Sequence, residues 1–332
     1  MNTNWGMIGH EWAVQLLKGH LMRGEPRHAY LFSGPSGVGR RTLALRFAQA
    51  INAENPPAAG DFDPQTRTSQ QFENMQHPDL SLIERQEGDR DIKIDALRQL
   101  QRNIILAPYM AKYRIALLLN FEEANPYAAN AILKTLEEPP PRVVMLLTAV
   151  NAEALLPTLS SRCEVIKLRR VPLQTLEAGL MNQYNVEDKK ARLLAHISNG
   201  CPGYAIRLNR EKNLMERRVQ WLDEQQQLLL DHRIKRFNYA RKVVKEKEVF
   251  IQQLQVWLSY WRDVLLHAMK ATSPLTNQDR LQEITEVSEK VGAKSAEEMV
   301  KRLEGTIHIL RTNVNLRLAA EVLLLDMPYM GG

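Results

Sequence analysis

The sequence predicts an α/β domain built on a parallel five-stranded sheet, followed by segments that are helical throughout. Ile115–Leu119 and Val143–Leu147 are apolar at every position, as strands buried on both faces of a parallel sheet are. Between them Asn125 can cap a helix, Pro126 suits its first turn, and Pro139-Pro140-Pro141 forbids its continuation. Beyond Arg169 strand-like runs give way to helical spacing.

Taken in order, Ile8-Gly9-His10 and the amphipathic stretch Trp12–Met22 lead into a first strand, Ala29–Ser33. A glycine-rich turn with Gly34, Gly37 and Gly39 follows, and opens a helix over Thr42–Ile51. This is the setting of a phosphate-binding loop, whose backbone N–H groups and helix N-terminus attract phosphate oxygens. The loop departs from the Gly-x-x-x-x-Gly-Lys-Ser/Thr pattern. Arg40 stands at the lysine, Arg41 at the hydroxyl, and Thr42 one position too late to hold Mg²⁺. A planar guanidinium cannot reproduce a compact ammonium among phosphates. The expectation is a loop with room for ATP or ADP on its backbone, but without efficient hydrolysis.

Ile51–Gln76 reads as polar and irregular, and holds no cysteine for tetrahedral zinc. His77, in the turn before the strand Leu80–Glu84, is expected to be structural, so no metal site is predicted. A helix opens near Ile92–Leu100 with Asp95 as its cap, and Pro108-Tyr109 ends the segment that trails it. Arg98 and Arg102 share one helical face, which either touches DNA phosphates or is a solvated basic face. A fifth, more mixed strand is expected over Glu164–Leu168.

The runs Asn130-Ala131-Ile132-Leu133-Lys134-Thr135-Leu136-Glu137-Glu138-Pro139-Pro140, Leu156-Pro157-Thr158 and Ser161-Arg162-Cys163 resemble the core of the bacterial clamp-loader AAA+ family of DNA polymerase III. The likeness is greatest to the delta-prime branch and extends over nearly the whole chain, closely to about Asn209 and loosely beyond. It implies an AAA+ P-loop domain over 1–168, a small helical lid over 169–209 and an all-α collar over 210–332 that joins subunits. The family's Mg²⁺-holding acidic pair falls on Leu119 and Asn120, neither a carboxylate; Glu122 and Glu123 stand nearby as solvated loop charges or as slipped substitutes. The position of the γ-phosphate sensor falls on Thr148, and that of the second-sensor arginine on Gly203. The Ser161-Arg162-Cys163 motif implies that Arg162 acts as an arginine finger in a neighbouring subunit's ATP site. The implied partners are gamma/tau and delta subunits, a sliding clamp and primed DNA. The alternatives are a working gamma/tau-like ATPase using Arg40, Thr42 and Glu122 or Glu123, and a DNA-binding adaptor outside replication.

A length of 332 residues allows two or three domains, and 25% charged with 44% hydrophobic residues is ordinary for a soluble chain. The net charge of +6 fits either an acidic partner or a merely basic surface. No run approaches the roughly twenty apolar residues of a membrane helix, and the start lacks a secretory pattern. Cys163 and Cys201 make a disulfide framework unexpected and point to a reducing compartment, the cytoplasm. Phe250, Leu254, Trp257, Trp261 and Leu265 form an apolar stripe, read as core. Arg233, Lys235, Arg236, Arg241, Lys242, Lys245 and Lys247 form a basic run, interleaved with Phe237 and Tyr239, that either attracts nucleic acid or faces water. Asn313–Ala319 through Met327-Pro328 resembles the family's last collar helix.

Overall fold

The strand runs pair side by side in a computed structural model that describes residues 4–243, 246–310 and 314–331. Lys245 and Asn313 lie outside the described residues. The strands are β1 (Ala29–Ser33), β2 (Leu80–Ile83), β3 (Arg114–Leu118), β4 (Val143–Ala149) and β5 (Glu164–Lys167). All are parallel, in the order β2-β3-β4-β1-β5, with Ala29 opposite Met145 and Arg114 opposite Val143. Every residue of β1, β3 and β4 is buried, which explains why their sequences carry so few polar side chains.

Two compact units divide the chain: Met1–Tyr184 with Gly200–Tyr204, and Asn185–Asn199 with Ala205–Gly332. In the first, the two faces of each strand feed different cores. Tyr30, Phe32, Ile115, Leu117, Val144 and Leu146 pack with Leu17 of α1 (Glu11–Met22), Phe47 of α2 (Arg40–Ile51) and Phe72 of α3 (Arg67–Glu73). Leu31, Ala116, Leu118, Met145 and Leu147 pack with Leu97 and Leu100 of α4 (Ile94–Ile104), Ala128 of α5 (Pro126–Ala131) and Leu136 of α6 (Leu133–Glu137). The alternation follows from the period of two along a strand. Two further helices, α7 (Pro157–Ser160) and α8 (Leu173–Tyr184), complete this unit together with the first turn of α10 (Pro202–Arg210).

Asn125 caps α5 as its sequence indicates, accepting the Ala128 N–H at 2.9 Å. Two expectations need correction. Asp95 is not a cap: Lys93 occupies that position, and Asp95 lies inside the first turn, 3.5 Å from Arg98. The stretch after Ile51 is not wholly irregular. Thr66 caps α3, which buries Phe72, and Gln49 donates to the Ser69 carbonyl at 2.8 Å.

The strand β3 starts one residue earlier than the apolar pattern suggests, because Arg114 is itself buried. Its guanidinium reaches Asp79 at 3.1 Å and the carbonyls of Asn103 and Ala107. Asp79, fully buried, also accepts the N–H groups of Tyr109, Met110 and Ala111 at 2.7–2.9 Å. Burial alone would raise this carboxyl's pKa, but the backbone donors and Arg114 outweigh it and hold the carboxyl below its ordinary range.

The second unit contains α9 (Asp188–Ile197), the rest of α10, α11 (Lys212–Leu230), α12 (Arg233–Val243), α13 (Lys247–Ala268), α14 (Leu281–Leu310) and α15 (Leu316–Leu325). The stripe Phe250, Leu254, Trp257 and Trp261 is buried core, as its spacing predicts. One member of the basic run behaves otherwise. Arg236 is 2% exposed and donates to the carbonyls of Leu228, Leu324, Met327 and Pro328, so it closes the ends of α11 and α15.

Buried histidines tie stability to pH. His77 stacks on Phe72 with ring centroids 4.2 Å apart, and its Nδ1 accepts the Asp79 N–H. His10 Nε2–H donates to the Val38 carbonyl, and His20 Nδ1 meets the Tyr30 hydroxyl. Burial lowers the pKa of all three. A lowered pKa means that the folded state binds fewer protons, so this stability is present above the unfolded histidine value and drains away as pH falls. The melting temperature, followed by circular dichroism, should therefore decline as pH is taken from about 7 to about 5, starting near 6.5. A flat profile over that range would show that these rings do not resist protonation.

Candidate functional site

The glycine-rich turn joins β1 to α2, which places it at the carboxyl ends of the strands, where open α/β sheets take ligands. Its backbone does curl as the glycines permit. Gly37 sits at φ 77°, and Gly39, at φ 116°, is the N-cap of α2. The apex of the curl is nonetheless covered. The Gly203 N–H, in the first turn of α10, donates to the Gly37 carbonyl at 2.7 Å. A Cβ built on Gly37 would stand 2.9 Å from the Tyr204 Cβ, so Tyr204 lies directly on the loop. His10 holds the next carbonyl, that of Val38, at 3.0 Å.

Arg40 is turned inward and is 8% exposed. Its Nη2 donates to Asn120 Oδ1 at 3.1 Å, and its Nη1 lies 3.9 Å from Glu122 Oε1. Asn120 has left-handed backbone (φ 48°, ψ 53°) and its N–H donates to the Thr148 hydroxyl at 2.8 Å. Glu122 accepts the Val150 N–H at 3.3 Å. Thus Gly39, Arg40, Asn120, Thr148 and Glu122 do converge. Leu119 is buried, its N–H donating to the Ile83 carbonyl. Glu123 points elsewhere, to Arg85 at 3.0 Å, and Arg41 and Thr42 are exposed on α2.

The electrostatics of this cluster are those of a tight, dry place. Burial pulls the Arg40 pKa down and pushes the Glu122 carboxyl up, so each partner is strained more by lost water than it is relieved by the other. Arg40 Nη1 and Glu122 Oε2 are buried without a hydrogen-bond partner. This donor set does not fit a Mg²⁺-triphosphate. No carboxylate stands at 119 or 120, no hydroxyl stands at 41, the guanidinium is engaged by Asn120, and Tyr204 occupies the apex. Among the described residues no group of three His, Cys, Asp or Glu is placed to hold a metal ion. Among them, too, no helix is long and apolar enough to cross a membrane.

Ser161, Arg162 and Cys163 lie at the opposite ends of the strands, between α7 and β5. Arg162 is at the surface. Its Nη1 donates to the Thr158 carbonyl at 2.7 Å and its Nη2 to Glu137 at 2.6 Å, with a third of the side chain exposed. Ser161 is exposed and reaches only the Thr158 carbonyl, at 3.4 Å. Burial pushes the Cys163 thiol up to about 12, which makes it a packing group. Arg98 and Arg102 are exposed on α4, far from being organised by any buried partner. Gly203 falls where its glycine is needed, since a Cβ there would meet the Gly37 carbonyl at 2.9 Å. Sequence reasoning missed Tyr204, whose only signal is its place beside Gly203.

Replacing Arg40 with Ala would leave Glu122 buried without a cation. Denaturant melts should show a loss of about 1–3 kcal/mol at neutral pH. The loss should shrink toward pH 5, because Glu122 with its raised pKa then escapes by protonation. An equal loss at both pH values would show that the guanidinium acts by packing alone.

Residues 9–172 match the family described as DNA polymerase III, delta subunit. The DNA polymerase III subunit delta' of Pseudomonas aeruginosa is 33% identical over 62% of this chain and 63% of its own length, so the matched stretch is under two thirds of that relative. The Bacillus subtilis protein of the same name is 26% identical over 94% of both chains. A crystal structure of a DNA polymerase III gamma subunit-related protein from Thermotoga maritima superposes with a TM-score of 0.50. That superposition covers 94% of this chain and 97% of the other at 19% identity, and it speaks for the fold alone. The sheet order and the glycine-rich turn accompany these matches, so the chain is similar to bacterial DNA polymerase III delta and delta' subunits, most firmly over residues 9–172.

Proposed function

We propose that the chain is a delta'-type subunit of the clamp loader that acts in DNA replication in the cytoplasm. In this reading it keeps a nucleotide cradle it does not use and lends Arg162 to a neighbouring ATPase subunit. Its partners are then gamma/tau and delta subunits, with a sliding clamp opened on primed DNA. It needs neither zinc nor bound nucleotide of its own.

The observation that carries this reading is the contrast between the two arginines. Arg40 is buried and committed within the chain, whereas Arg162 is held at the surface by one half-exposed carboxylate, Glu137, and a carbonyl. A surface ion pair of that kind is worth about 0–1 kcal/mol, so a neighbour's phosphate can displace Glu137 at little cost. A guanidinium presents a planar fork that matches phosphate oxygens in pairs. Placed beside a phosphoryl group in transfer, it offsets charge that grows toward the transition state.

Mixed with its ATPase partners and primed DNA, the chain should support hydrolysis that falls at least about tenfold when Arg162 becomes Ala; trans arginine fingers in GTPases contribute roughly 10³–10⁵. Assembly, read by native mass spectrometry, should persist. An unchanged rate would remove Arg162 from the reaction. The isolated chain should show no ATP turnover above background, and turnover abolished by Arg40→Ala would establish a working ATPase instead.

A further inference from the structure

A second concave surface belongs to the first unit, and the degenerate loop's chemistry does not account for it. It is a cleft of about 520 Å³ at the carboxyl ends of β1, β4 and β5. Ser33, Asn151, Lys167, Arg169 and Arg170 line it, beside the first residues of the loop, Gly34 and Pro35. The loop's apex residue Gly37 and the inward-turned Arg40 are not part of it.

The charged side chains that line this cleft are all cations, set beside apolar surface from Pro35, Val150 and Leu168. No carboxylate lines it. Among the described residues Lys167 and Arg169 have no ion pair, and Arg170 meets only the thiol of Cys201. Asn151 Oδ1 already accepts the Ala154 N–H at 2.6 Å, which leaves its NH₂ group. Ser33 is 1% exposed, and its hydroxyl is buried with no partner. The Ser33 carbonyl takes the Leu168 N–H at 2.7 Å, and the Gly34 N–H goes to the Ala149 carbonyl at 3.1 Å. A Cβ on Gly34 would lie 2.5 Å from the Leu168 carbonyl, so only glycine permits this close closure of the cleft's floor.

We propose that this cleft is a binding site for phosphate groups, separate from the apex of the glycine-rich turn and independent of the role assigned to Arg162. Cations without internal acids favour a ligand with more than one negative charge, and two guanidinia favour the oxygens of a phosphate over a single carboxylate. The volume exceeds that of one phosphate, so a polyphosphate or consecutive phosphodiesters suit it better than a lone ion. Its place at the carboxyl ends of parallel strands is where sheets of this kind take ligands.

The test uses the full chain, with inorganic pyrophosphate as probe in isothermal titration and a short single-stranded oligonucleotide as a second arm. The unaltered chain should bind pyrophosphate, and Lys167→Ala/Arg169→Ala should weaken binding by about tenfold or more while the melting temperature stays unchanged. Ser33→Ala, which removes only the hydroxyl, should weaken it by a smaller factor and guards against misfolding of the double variant. Oligonucleotide binding that is lost in the same double variant would extend the site to nucleic-acid backbone. Pyrophosphate binding without it would restrict the site to free polyphosphates. No binding by the unaltered chain, or affinity untouched by both variants, would overturn the proposal. So would affinity lost in Arg40→Ala but kept in the double variant.

Discussion

Burying one guanidinium at the end of β3 sets the terms for the rest of the first unit. A cation taken out of water must find fixed dipoles or a counter-charge. For Arg40 these come from Asn120 and Glu122, some 80 positions later in the chain. Asn120 in turn rests on the Thr148 hydroxyl of β4, and Glu122 on the Val150 N–H just beyond it. One side chain thereby ties the start of α2 to the ends of two central strands. The Gly203 N–H on the Gly37 carbonyl then closes the turn from the other side. Two carbonyls of the turn, those of Gly37 and Val38, and the Arg40 side chain are here engaged by the chain itself.

The sheet was legible because its central strands have few polar positions to disguise them. Ala29–Ser33 came out with its bounds unchanged, and Val143–Leu147 extends only to Ala149. The pattern misled at Arg114, where a charge usually marks surface. What buries it is Asp79, a residue 35 positions away that no local window relates to it. The helix Arg67–Glu73 was illegible for a different reason: it is short, polar on most sides, and held by a single buried ring, Phe72. Asp95 looked like a cap because the residue type is right, but the chain enters the helix two residues earlier, at Lys93.

The site was half legible in the same sense. The positions of Gly34, Gly37, Gly39, Arg40, Asn120 and Arg162 follow from motif spacing alone. Where the side chains go does not, since Arg40 and Arg162 are the same residue type in opposite environments, one buried and one at the surface. Tyr204 could not be found from spacing, because its importance lies in packing on a glycine with no side chain of its own.

In the second unit the basic run conceals a residue of another kind. Among the described residues Arg236 forms no ion pair; the acceptors around it are carbonyls, from the ends of α11 and α15 and from the tail after α15. Those at Met327 and Pro328 lie 91 and 92 positions downstream. Shortening the chain to end before Met327 would therefore take two acceptors from a cation inside the helical core, together with the buried Met327 side chain. The safe limit for trimming the carboxyl terminus, or for appending a purification tag in its place, is dictated by an arginine in the middle of the unit.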